Sequence, residues 1–140
     1  MSTHMSRVPY GHNKDLIEPE LHVLGQITGG TGFDSNNSFV FYELKVGDHW
    51  TLVGGDAKGQ SQIDFPRGKD HVWNHPIDLH FYTKTMQGWP RIILAVHKQD
   101  LYGGNKLIGY GFCFIPMTGG HHSIEVPIWR PRGMYRCIDR

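Results

Sequence analysis

Between Trp73 and Thr83 the chain reads WNHPIDLHFYT, with Ile77, Leu79 and Phe81 falling on one side and Asp78, His80 and Tyr82 on the other. Successive side chains of an extended chain point to opposite faces, so this alternation predicts a strand with one buried and one solvated face. The same period of two recurs along the sequence, and no stretch carries the 3.6 period of an amphipathic helix. Strands are expected over 20–27, 38–46, 49–53, 60–64, 73–83, 90–98, 107–116 and 122–129. Pro90–Lys98 (PRIILAVHK) is apolar on both faces in its middle, which predicts a central strand. Pro76 is tolerable only at a strand entrance or an edge, because proline cannot donate to a ladder.

Glycine and proline punctuate these runs. The 18 glycines and 8 prolines are spread along the chain and predict many tight turns, as at Gly47-Asp48 and Gly54-Gly55-Asp56. Gly109 and Gly111 lie inside a strand pattern, where missing side chains mark a bulge or the close approach of another backbone. Seven to eight short strands with turn-rich links predict an all-β fold, an antiparallel β-sandwich. The 140 residues fit one domain, and a chain of this length buries about 68–70% of its unfolded surface, enough for a core without staples.

A net charge of +1 provides no global field for nucleic acid. The local exception is the C-terminus, with Arg130, Arg132, Arg136 and Arg140. Such a run is either a solvated tail or a contact for an acidic partner or anionic lipid. Cys113 and Cys137 have no zinc-ligand spacing, and no signal peptide precedes them, so two free thiols in a reducing, cytoplasmic compartment are expected.

Ten histidines invite a search for metal or catalytic chemistry. His121 and His122 are adjacent on an extended chain and face opposite ways. Asp78 and His80 share a face, but no nucleophile motif accompanies them, so they are read as decoration of a polar sheet face. Gly29-Gly30-Thr31-Gly32 lacks the lysine and helix of a phosphate loop and is read as a turn. Asp34 and Asp100 sit in two loops that can lie at one end of a sandwich, yet one carboxylate per loop is too few ligands for calcium. No catalytic residue, metal or cofactor is expected.

Several segments in order carry a further signal: WNHPIDLHF from Trp73, QGWPRIILAV from Gln87, GYGFCFIP from Gly109 and IWRP from Ile128. Together with His22-Val23, Gly25-Gln26-Ile27 and Gly59-Gln60, they resemble the B9-domain family of ciliary transition-zone proteins. The likeness runs from about residue 20 to residue 133. It implies a C2-like β-sandwich and a non-enzymatic scaffold role. It also implies assembly with two other B9-domain proteins of the Meckel-syndrome complex at the transition zone or basal body, where a barrier controls entry of membrane proteins into the cilium.

Residues 1–19 are then expected as a flexible N-terminal arm, 20–133 as the B9 domain and 134–140 as a short basic tail. The family pattern continues past Trp-Arg-Pro into a final apolar strand, so this sandwich is expected to lack that strand or to take it from a partner. Trp129, Arg130, Arg132 and Arg136 are the candidate partner or lipid contacts, with Trp50 and Trp89 as further possible anchors. Trp73 and Trp89 read more readily as core. The alternative function is calcium-independent binding of an anionic membrane through these arginines and loop aromatics such as Phe33 and Tyr102.

Overall fold

The computed structural model describes residues 2–7 and 18–130, and every regular element among them is a strand. These are β1 (Ser2–Arg7), β2 (Pro19–Thr31), β3 (Phe39–Lys45), β4 (Trp50–Gly54), β5 (Lys58–Gln60), β6 (Asp70–Thr83), β7 (Arg91–Gln99), β8 (Asn105–Phe114) and β9 (Gly120–His121). They form two antiparallel sheets, ordered β4-β6-β2-β1-β9 and β5-β3-β7-β8. The alternation behind the all-β expectation is realised in β6. Ile77, Leu79 and Phe81 are buried against β3 and β7 residues such as Val40, Ile92 and Val96, while Asp78 is exposed. β7 is flanked by β3 and β8, the central position its two apolar faces predict.

Pro76 lies well inside β6, opposite Gln26 of β2. The ladder tolerates it because β4 pairs with β6 only from His80 to Thr83, so the other side of Pro76 has no strand to receive a donor. Nearby, a bulge between Ile27 and Gly29 takes up the register, and Asn74 adopts φ 46°, a conformation Asn tolerates better than most residues.

Three expectations need correction. The arm foreseen over 1–19 is not free throughout: Ser2–Arg7 pairs with Leu24–Pro19, extending the first sheet. Its polar sequence gives no period, and the strand is defined by backbone pairing, with β2 on one side and the two-residue β9 on the other. The strand expected over 60–64 is instead β5, followed by one bridge between Ser38 and Asp64. The strand expected over 122–129 is irregular, touching β8 at a single bridge, Tyr110 to Trp129. Pro127 cannot donate, so a continuous ladder is broken there. Any final strand from residue 131 onward, and the tail at 134–140, lie outside the described residues.

Two loops lock one end of the sandwich. The Gly47 N–H donates to Gly88 O at 2.9 Å, and Gly88 has φ +73°. A Cβ at Gly88 would run into the Gly47 backbone. Gly88→Ala is therefore expected to cost on the order of 1–3 kcal/mol, from left-handed strain and the forced loop separation. Urea denaturation checks this: an unchanged midpoint would show that the loops are free to part.

Candidate partner-binding surface

The outer face of the four-stranded sheet carries an unusual load of apolar groups. Inward-pointing residues of β8 are Gly109, Gly111 and Cys113; the intervening Tyr110, Phe112 and Phe114 therefore face out. In register, Phe41 of β3 lies beside Ala95 of β7, Ala95 beside Tyr110, and Tyr110 beside Trp129, giving one apolar row across the sheet. A second row runs Glu43, Ile93, Phe112. Phe112 is 53% and Trp129 50% exposed, so these rings keep much of their surface in water. An antiparallel sheet normally turns a polar face outward. A contiguous aromatic face is instead the mark of an interaction site.

Glycines make the row's far end possible. The Tyr110 and Trp129 backbones exchange two hydrogen bonds of 2.9 Å, and their rings meet edge-on at 4.2 Å between centroids. A Cβ at Gly109 would sit 2.8 Å from Trp129 O, and one at Gly111 would strike Pro127 O. The close approach expected at these glycines is thus the passage of residues 127–129 over β8.

Charge flanks the apolar rows. Glu43 pairs with Lys45 at 2.9 Å and Lys58 at 3.4 Å. The hydrogen-bonded Lys45, helped by Lys58, holds the Glu43 carboxyl below its ordinary pKa despite some desolvation. Arg130 is exposed next to Trp129. Lys98, Lys106 and Arg130 line an open cleft of about 1380 Å³ between the sheets, whose walls include Ile27, Val40 and Ile128. Of the residues expected to touch a partner, Trp129 and Arg130 fall on this surface; Arg132 and Arg136 lie outside the described residues, as does Cys137.

The other sequence candidates resolve differently. Trp50 and Trp89 are core rather than anchors: their rings pack at 90° with centroids 5.3 Å apart. Their indole N–H groups donate to Gln87 O at 2.8 Å and Ile115 O at 2.6 Å, so burial leaves no polar atom unmet. Trp73 is half-buried and stacks with Phe33, which takes Phe33 out of the set of exposed loop aromatics. Ser38 and His71 form a close pair at 2.5 Å, and both are buried, so the pair ties the residue just before β3 to β6. The loops of Asp34 and Asp100 do adjoin, through Asn37 and Gln99. The Asp100 carboxylate, however, accepts from the N–H groups of Tyr102 and Gly104 and so closes its own turn. Burial raises the pKa of the free Cys113 thiol.

Sequence reasoning missed Tyr110, Phe112 and Phe114 as surface residues. The signal was present, since aromatics at alternate positions separated by Gly, Gly and Cys put all the bulk on one face. What it lacked was which face met the core.

A family model described as "B9-C2: Ciliary basal body-associated, B9 protein" matches residues 21–139. The chain is 48% identical over 118 residues to B9 domain-containing protein 2 of Rattus norvegicus, covering 84% of this chain and 67% of that protein. It is 46% identical over 118 residues to B9 domain-containing protein 2 of Homo sapiens, with the same coverage. B9 domain-containing protein 1 of Xenopus laevis is 31% identical over 119 residues, covering 83% of this chain and 60% of that protein. No solved structure gives a significant match. None of the described residues forms a helix long and apolar enough to cross a membrane. A two-sheet antiparallel sandwich, a family match over most of its length and relatives 48% identical over 118 residues lead to one assignment: the chain belongs to the B9-domain family.

Proposed function

We propose that this chain is a non-enzymatic scaffold subunit that assembles with two other B9-domain proteins of the Meckel-syndrome complex at the ciliary transition zone. There it supports cilium assembly and the membrane diffusion barrier. The carrying observation is the outer row of Phe41, Ala95, Tyr110 and Trp129. A twisted, aromatic four-stranded face suits a second sandwich, because two such faces can interdigitate as they do inside a domain. A sibling B9 domain offers sheets of the same kind, and the charges of Glu43, Lys45 and Arg130 at the margins would fix its register. Size-exclusion chromatography with light scattering, mixing the purified chain with each sibling and with both, tests this. A discrete hetero-complex is expected; a chain that remains monomeric in every mixture removes the proposal.

One observation favours a second reading, binding to an anionic membrane surface. Leu101 and Tyr102 are 98% and 97% exposed at the tip of the β7–β8 turn, and Lys98 and Lys106 flank it. An exposed apolar tip with adjacent cations suits insertion among headgroups, each cation adding about 1 kcal/mol near an anionic surface. Co-sedimentation with phosphatidylserine vesicles at low salt, with and without calcium, separates the two readings. Absence of pelleting leaves the scaffold alone.

A further inference from the structure

On the outer face of the first sheet, opposite the core residues Leu21 and Leu79, three metal-ligating side chains from two strands converge. Glu20 and His22 share a face of β2, and His80 is the register partner of His22 on β6. His22 in turn has His4 of β1 as its other register partner, so a row of histidine positions crosses three strands. The Glu20 carboxylate reaches His80 Nε2 at 3.3 Å with one oxygen and His22 Nε2 at 3.6 Å with the other. All three donor atoms lie within 4.8 Å of one another, the one such grouping among the described residues.

We infer that Glu20, His22 and His80 form an open, three-ligand site for a borderline divalent cation of the zinc type. Two imidazole nitrogens and a carboxylate oxygen are the donor set such ions take, with a fourth position left to water. Ligand bonds of about 2.0–2.1 Å put neighbouring donors of a tetrahedral site roughly 3.3 Å apart. The Oε1–His80 spacing of 3.3 Å already matches one such edge, while His22 Nε2 lies 3.6 Å from the other oxygen, so the carboxylate must turn to present a single oxygen to both rings. The imidazoles are stacked, with centroids 3.9 Å apart and planes at 20°, so a rotation of the more exposed His22 ring brings its nitrogen round to the third edge.

A second observation points the same way. His80 Nε2 is shut off from solvent and makes no hydrogen bond among the described residues, its 3.3 Å approach to Glu20 being an electrostatic contact only. A buried ring nitrogen without a hydrogen bond is costly, and a metal ion would satisfy it. The Tyr82 hydroxyl donates to the Glu20 carboxylate, and the Tyr82 ring packs edge-on against His80. Ligands oriented by outer partners in this way are a recurring feature of built metal sites.

Cobalt(II) titration of the purified chain, followed by visible absorption, tests the inference, with zinc competition to compare the two ions. Saturable one-to-one binding with the intense bands of a four-coordinate ion is expected. Glu20→Gln, His22→Ala and His80→Ala should each weaken binding at least tenfold, and Tyr82→Phe by about tenfold through ligand orientation. His97→Gln, on the other sheet, should leave affinity unchanged. Absence of saturable binding, or equal affinity in the wild type and the His22 and His80 variants, would overturn the site and mark adventitious histidine binding. Should those variants not fold, imidazole nitrogen spectra of the wild type with and without zinc decide instead. Selective shifts at the Nε2 atoms of His22 and His80 support the site, and their absence rejects it.

Discussion

Phe112→Asp is expected to weaken binding to a sibling B9-domain protein at least a hundredfold while leaving the fold intact. Phe112 stands on the outer face of β8, 53% exposed, beside Ile93 and within ring distance of Phe114. Its removal opens no cavity, so the folding cost should stay within about 0.5 kcal/mol. The interface cost is larger. A hundredfold loss corresponds to about 2.8 kcal/mol, within the range of a central aromatic anchor. The aspartate adds a second penalty, because docking would bury a carboxylate on the row of Ile93, whose own charged member is Glu43, with Arg91 one row away beside Phe114. Leu24→Asp supplies the comparison, being a similar charge on the exposed face of the other sheet. Isothermal titration against each sibling should lose the Phe112→Asp complex and keep the Leu24→Asp one. If both variants bind like the wild type, partners dock elsewhere; if both fail, the effect is charge in general and not this face.

That surface was only half legible in the sequence. The apolar alternation in β6 and the two-faced apolarity of β7 named the core strands correctly, since burial on one face or two leaves a direct trace in the order of residues. Gly109 and Gly111 announced a close backbone approach, which residues 127–129 supply. What periodicity cannot supply is the identity of neighbours across a sheet. Tyr110, Phe112 and Phe114 become a surface only when Ile93, Ala95 and Phe41 are set beside them by register. The same gap hid Glu20, His22 and His80. Along the chain the alternation sets His80 on one face with Asp78, two positions away, whereas its close partners stand on β2. The spacing of Glu20 and His22 placed them on one face, but nothing local said that His80 would lie alongside. Trp50 and Trp89 erred in the opposite direction. Tryptophan suits an interface and a core equally well, and only the hydrogen bonds to Gln87 O and Ile115 O show how these two are accommodated inside.

Phe81→Ala should produce the largest loss of stability, about 3–5 kcal/mol, because it empties a large volume where the sheets meet. Phe81 is among the largest fully buried side chains, pairs across the ladder with Leu21 of β2 and Leu52 of β4, and meets the Trp50 ring edge-on at 6.2 Å. Leu21 and Trp50 are themselves held by strand pairing, so the walls cannot collapse fully into the hole. For a domain whose total stability is on the order of 5–15 kcal/mol, that loss should lower the melting temperature by roughly 10–20 °C. Asp78→Ala, three positions earlier on the solvent face of the same strand, should change stability by no more than about 0.5 kcal/mol. Urea midpoints for the pair measure the difference between the two faces of β6 directly. Comparable losses would mean that the alternation does not separate core from solvent. Well below its midpoint, folded Phe81→Ala should still bind a sibling with near wild-type affinity, since the outer face of β7 and β8 belongs to the opposite sheet. Folded Phe112→Asp should not. A chain that loses binding through Phe81 as readily as through Phe112 would have a docking surface coupled to its core, in place of one carried on the outside of an independent sandwich.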